Sequence, residues 1–241
     1  MRKLIYFTIS NNPEYINLLK ICLESLYYQK YDGDVLFITN LQELLLNSLE
    51  FEKKPLFLTI ETSGLLESSA NKLKIYKYPN LKDYDKIIFC DADIVWTSSP
   101  DNIFNNINED FFYVSNENSL MSEEWWGGKI LTTEEKLIIE KKQIKGINAG
   151  IFGFNSKLVN HLEKIETFLL QNKQLVNICL EQPFFNVYLF RNNLYKTDLS
   201  NMVSHNGYNL KEYNGSALHF AGGPGNYSNK FSKMKEFKYK N

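Results

Sequence analysis

The stretch Tyr84-Asp85-Lys86-Ile87-Ile88-Phe89-Cys90-Asp91-Ala92-Asp93 decides most of what this 241-residue chain can be. Four consecutive apolar residues, Ile87 to Cys90, read as a strand buried on both faces, the kind found in parallel sheets covered by helices. The strand ends in two carboxylates two residues apart. In an extended chain these would face opposite ways, but in a turn off the strand end both can converge on a hard divalent cation. Asp also serves ordinary turns and caps. Position favours a ligand site, because open α/β sheets bind ligands outside the carboxyl ends of their strands.

Working outward, Leu4 to Ile9 reads as a first strand, ended by the turn Ser10-Asn11-Asn12-Pro13. Ile16, Leu19, Leu23 and Leu26 then recur at helical spacing. Val35 to Ile38 is a second strand, Leu41 to Leu49 a helix and Leu56 to Ile60 a third strand. Ser68 to Tyr78 predicts another helix. Residues 116–146 contain Glu123-Glu124-Trp125-Trp126-Gly127-Gly128 and a charged helix from Thr132. They lack core periodicity and read as an insertion over one face, a lid or an acceptor site. Gly146 to Phe154 is a further strand, with helices following over Ser156 to Gln171 and from about Gln174 to Arg191. The order predicts one α/β domain, with a Rossmann-like, mostly parallel central sheet, helices on both faces and a short antiparallel extension.

Composition agrees with a globular chain: 44% of residues are hydrophobic, 15% are aromatic, and only 6 are Pro. The length admits one large α/β domain or two small ones and excludes a multi-domain assembly. With 27 Lys+Arg against 28 Asp+Glu, the net charge of −1 gives no long-range field to collect nucleic acid or an acidic membrane. Cys22, Cys90 and Cys179 form neither a CxxC pair nor a disulfide framework, so reduced thiols in a cytoplasmic setting are expected. The basic-then-apolar run Met1 to Phe7 is broken at Ser10-Asn11-Asn12-Pro13, too early for a signal peptide or an integral membrane segment.

Further chemistry-bearing residues lie downstream. His219 precedes Gly222-Gly223-Pro224-Gly225, and its imidazole could complete a site begun by two carboxylates, a set suited to Mn²⁺. Glycines there free backbone N–H groups for a phosphate, as they also would in an ordinary loop. Asn148-Ala149-Gly150 puts an amide inside an apolar strand, where it must find partners. Glu181-Gln182 opens a helix and reads either as a solvated start or as a pair aimed into a pocket. His161 and His205 have no such context and read as structural.

Together these pieces resemble the glycogenin-like and bacterial galactosyltransferase-like enzymes of glycosyltransferase family 8, which have a GT-A fold. Tyr6 to Tyr15 resembles the family's first strand and nucleotide loop. Asn71-Lys72-Leu73 with Tyr84 to Asp93 resembles its K-L…Y-D-K-h-h-h-h-D-A-D segment. Ile147 to Gly150 resembles F-N-A-G, Glu181-Gln182 resembles D-Q, and His219-Phe220-Ala221-Gly222 resembles H-F-x-G. Five motifs in family order, over about residues 4–230, are far more specific than any one alone.

The resemblance implies that Ile9, Asn11, Asn12 and Tyr15 face a uridine and that Lys72 meets the donor diphosphate. Asp91, Asp93 and His219 would hold Mn²⁺ or Mg²⁺, with Ala92 beside them. Asn148 and Ala149 would flank the donor sugar, and Gly222 and Gly223 would offer amides to phosphate. Gln182 and Glu181 would lie nearest the sugar's reactive face, orienting it or stabilising its cation. Residues 1–100 would form the nucleotide-binding half, 116–146 the acceptor segment, and 147–230 the donor-sugar and metal-loop half. Three departures stand out. Glu181 replaces Asp and is followed by Gln182-Pro183-Phe184. The closing K-P-W is absent, Lys230 being the next lysine. Pro13 replaces a polar residue.

The expected activity is metal-dependent, retaining transfer of a hexose, glucose or galactose favoured, from a UDP-sugar to a hydroxyl on a glycan, protein or lipid. A homodimer is compatible with it. Trp125 and Trp126 either stack on an acceptor sugar or anchor their segment to the core. A sugar nucleotidyltransferase is disfavoured, because the first strand lacks a Gly-rich, Arg/Lys-bearing triphosphate loop, and two stronger rivals stand against this reading. A haloacid-dehalogenase-like phosphatase shares an h-h-h-D-x-D strand, and a catalytically silent carbohydrate-binding scaffold would keep the fold.

Overall fold

The structure is a computed structural model that describes residues 1–205, 207–208, 213–222 and 227–238. The elements begin with β1 (Lys3–Ile9), α1 (Tyr15–Tyr28), β2 (Asp34–Thr39), α2 (Gln42–Ser48), β3 (Leu56–Thr59) and α3 (Leu65–Ala70). Then come β4 (Lys86–Cys90), β5 (Ile94–Trp96), α4 (Asp101–Asn106), β6 (Phe112–Leu120), α5 (Thr133–Lys142) and β7 (Lys145–Asn155). The chain continues through α6 (Val159–Gln171), α7 (Gln182–Asn192), β8 (Tyr195–Lys196), β9 (Val203–Ser204), β10 (Ala217–His219) and α8 (Tyr227–Lys238).

Seven of the strands form one sheet in the order β3-β2-β1-β4-β7-β6-β8. The first four are parallel neighbours, β7 runs antiparallel to both β4 and β6, and β8 is parallel to β6. The chain leaves β4 through Asp91-Ala92-Asp93 into a small second sheet, β5-β10-β9. This is the predicted mixed α/β architecture.

β1 shows why both faces are covered. Leu4 and Tyr6 point one way and Ile5 and Phe7 the other, as strand geometry requires, and all four are fully buried. Leu4 and Tyr6 pack with Ile87, Phe89, Phe152 and residues of α6 and α7, whereas Ile5 and Phe7 pack with Ile88 and residues of α1, α4 and α8.

Three segments differ from the pattern-based expectation. The helix read over Ser68–Tyr78 is α3 followed by a 3₁₀ turn from Asn71 to Lys77. Tyr6 donates its hydroxyl to the Lys72 carbonyl, and Asn71 donates to Ser10 and Thr62, so local polar bonds compete with the helical ladder there. The segment read as an insertion from residue 116 begins inside β6. Register shifts at Val114/Ser115 and Asn116/Leu120 bulge the polar run and erase its alternation. The helix expected from Gln174 starts only at Gln182. Leu180 adopts a left-handed φ of 53°, and Pro183 in the first turn cannot donate the backbone bond that would extend the helix backwards.

Cys22 and Cys90 are buried free thiols with their sulfurs 3.9 Å apart, and Cys179 is half-buried. Among the described residues no helix is long and apolar enough to cross a membrane.

Phe152 sits at the junction of the parallel and antiparallel halves. Its ring centroid lies 5.1 Å from that of Phe89 and 4.9 Å from that of Phe185. Phe152→Ala should therefore cost about 3–5 kcal/mol, read as a lowered denaturant midpoint at unchanged slope. A loss below about 1 kcal/mol would show that this aromatic cluster does not tie the halves together.

Candidate active site

The carboxyl ends of β1 and β4 open into a cavity of about 1140 Å³. Asp91 and Asp93 lie on its floor, and two backbone bonds fix the turn between them. Asp91 N–H donates to the Gly150 carbonyl at 2.7 Å, and Phe220 N–H donates to the Asp93 carbonyl at 2.9 Å. β10 pairs with β5 so that His219 stands opposite Ile94, the residue after Asp93. The pairing explains why a histidine 126 positions away reaches the turn: its Nε2 lies 3.1 Å from Asp93 Oδ1 and 4.0 Å from Asp91 Oδ2.

Asp91, Asp93 and His219 thus offer three ligand atoms within 4.8 Å of one another. Asp93 Oδ1 is buried and has no hydrogen-bond partner among the described residues. An orphaned buried acceptor facing an imidazole nitrogen and a second carboxylate fits a divalent cation, and the O,O,N donor set suits Mn²⁺ or a related metal.

Burial pushes the Asp91 carboxyl up to about 6 against the opposing pull of Lys72. Burial would raise Asp93 as well, but His219 and Lys230 outweigh it and hold that carboxyl well below the usual range. Lys72 is buried, with its ammonium 2.9 Å from Glu181, 3.6 Å from Asp91 and 3.1 Å from the Ala149 carbonyl that it donates to. Burial disfavours that charge, yet the two carboxylates raise the Lys72 pKa overall. Glu181 also accepts a bond from the Ser69 hydroxyl.

The buried Asn148 amide is satisfied. Its oxygen accepts from Gly150 N–H at 2.8 Å, and its nitrogen donates to Glu117 at 2.7 Å. Gln182 accepts the Ala149 N–H at 3.0 Å. Ile9, Asn11, Asn12, Tyr15, Lys72, Asp91, Ala92, Asp93, Asn148, Glu181, Gln182, His219 and Gly222 all line this one cavity. Ala149 differs: its side chain is buried, and both of its backbone groups are taken by Lys72 and Gln182. Gly223 lies outside the described residues. Trp126 lines the cavity and packs over Gly146, whereas Trp125 is exposed on the surface.

Three further residues reach the site: Glu117 is not singled out by the sequence, His205 reads there as structural, and Lys230 reads only as the lysine displaced from the closing motif. Glu117 lines the cavity from the bulged part of β6, where no periodicity marked it, and burial raises its pKa. His205 places its Nδ1 3.3 Å from His219 Nδ1 and its Nε2 2.8 Å from the Ser115 hydroxyl. Burial lowers His205 to about 3, so it is neutral and supports His219 through the Nδ1 side, while His219 Nε2 faces the two carboxylates. Lys230 reaches Asp93 from α8, a helix that the sequence pattern does not announce.

No family model matches the chain, and no curated protein matches it. Among solved structures, that of WbbM without ligand, described as a bifunctional glycosyltransferase, is similar, with a TM-score of 0.59 at 13% identity. The match covers 97% of this chain and 49% of that one, so this chain spans about half its length. The fold is therefore shared with a glycosyltransferase.

Gly150 supplies the test of this geometry. A Cβ there would overlap His219, Asp91 and the Asn148 oxygen, whereas a Cβ on Gly64 meets nothing within 4 Å. Gly150→Ala should lower stability by about 1–3 kcal/mol through overpacking and weaken Mn²⁺ binding in calorimetric titration, with Gly64→Ala as a neutral control. Unchanged Mn²⁺ binding in Gly150→Ala would show that the three ligand atoms do not converge as described.

Proposed function

We propose that the chain is a metal-dependent retaining glycosyltransferase that moves a hexose, glucose or galactose favoured, from a UDP-sugar to a hydroxyl of a glycan, protein or lipid. The observation that carries this reading is the Asp91, Asp93 and His219 cluster on the floor of a large cavity, beside the buried Lys72–Glu181 pair. The fold shared with a glycosyltransferase supports it over the phosphatase reading, and family resemblance supports retention. The cavity volume lies just above the usual range of about 300–1,000 Å³ for small-molecule sites, enough for a nucleotide sugar.

In this reading Ile9, Asn11, Asn12 and Tyr15 hold the nucleoside at one end of the cavity. Asn11 is preset for the task, its left-handed φ of 62° fixed by bonds to Asn40 and Ser68. Lys72 and the backbone near Gly222 supply positive character to the diphosphate. Asp91, Asp93 and His219 would hold a divalent cation, which would supply Lewis acidity where negative charge collects on the leaving group. Because a nucleoside diphosphate leaves readily, no protonated carboxylic acid is required on the leaving oxygen. Glu181 and Gln182 would lie nearest the sugar, held by Lys72 and by the Ala149 amide, with Glu117 and Asn148 also lining the cavity.

A ligand that binds only the folded chain raises its stability, by about 2.7 kcal/mol at one hundred times its dissociation constant. UDP with Mn²⁺ should therefore raise the melting temperature of the wild type and leave Asp93→Ala unmoved. No response to UDP, GDP or CDP with any divalent metal would contradict the reading and favour a silent scaffold.

A further inference from the structure

Lys230, Met234 and Phe237 are spaced i, i+4 and i+7 on α8, and all are buried, at 4%, 0% and 4% exposure. Met234 and Phe237 anchor that stripe in the core with residues of α1, and the same stripe aims Lys230 inward. Its ammonium meets Asp93 Oδ2, while Asp93 Oδ1 is turned toward His219. Asp93 thus serves two cation positions, one held by Lys230 and one framed by His219 and Asp91. A buried ammonium requires an anion beside it, but its flexible four-carbon stem lets it change partners without any movement of the helix. Lys230 is also one of the residues that line the cavity.

We propose that Lys230 is the resident counter-ion of Asp93, a positioning residue that keeps metal affinity low until a diphosphate arrives, so that metal and nucleotide bind as a pair. The inference rests on the proposed function and adds the coupling between its two ligands. A carboxylate shared with an ammonium is a weaker metal ligand, and a divalent ion in the same poorly solvated floor is repelled by that ammonium. A diphosphate brings negative charge that stabilises both cations and gives Lys230 a second partner. By linkage, the factor by which diphosphate tightens metal binding equals the factor by which metal tightens diphosphate binding.

The test is calorimetric titration of Mn²⁺ into the full chain, alone and with saturating UDP, for wild type, Lys230→Met, Lys230→Gln and Lys230→Arg. Lys230→Met and Lys230→Gln should bind Mn²⁺ alone roughly tenfold tighter than wild type, and UDP should tighten their Mn²⁺ binding by a correspondingly smaller factor. Lys230→Arg, which keeps the charge, should match wild type. Lys230→Gln retains a hydrogen-bond donor for Asp93 and guards against a folding defect in Lys230→Met. Equal or weaker Mn²⁺ affinity in the folded neutral variants would overturn the inference and leave the transferase reading intact. Absence of Mn²⁺ binding in every protein, even with UDP, would overturn the metal-dependent reading as well.

Discussion

The site depends on the way the turn Asp91-Ala92-Asp93 is tied down. One backbone bond joins Asp91 to Gly150 on β7, and another joins Asp93 to Phe220 just after β10. The end of β4 is wedged between the antiparallel half of the main sheet and the small second sheet. Both attachments bring chemistry with them: Asn148 and Gly150 from one side, His219 from the other. The absence of a side chain on Gly150 is what lets the two meet, because any Cβ would occupy the space that His219 and Asp91 share. Fold and site are linked at this single turn.

Around it, charge is concentrated and paired. Lys72 bridges Asp91 and Glu181, Lys230 meets Asp93, and Glu117 is held by Asn148. Burying ion pairs is a poor way to gain stability, since desolvation can exceed the mutual attraction. Their gathering on one cavity floor, with strongly displaced carboxyl pKa values, marks a functional site more than a structural one. Under the transferase proposal, these fixed charges would need no reorganisation when a leaving group acquires charge, which is the condition for electrostatic stabilisation of a transition state.

Much of this was legible in the chain because the parallel strands are continuous apolar runs and the acidic turn follows one of them directly. The Asp91, Asp93 and His219 cluster, which could hold a metal, was legible as well. What escaped has physical causes. Bulges in β6 hid both a strand and Glu117. The α8 stripe carries a lysine where an apolar residue would have announced a helix. His205 acquires its position only through tertiary contact with His219 and Ser115. In each case the deciding partner lies far away in sequence, beyond the reach of local periodicity.

The central claim is that one cavity floor holds a divalent metal and a nucleoside diphosphate together. A crystal structure with Mn²⁺ and UDP, with diffraction recorded at the manganese absorption edge, addresses it most directly. The account predicts one anomalous peak bonded to Asp91, Asp93 and His219 and to oxygens of the diphosphate. A peak elsewhere, or a diphosphate bound away from that floor, would contradict it.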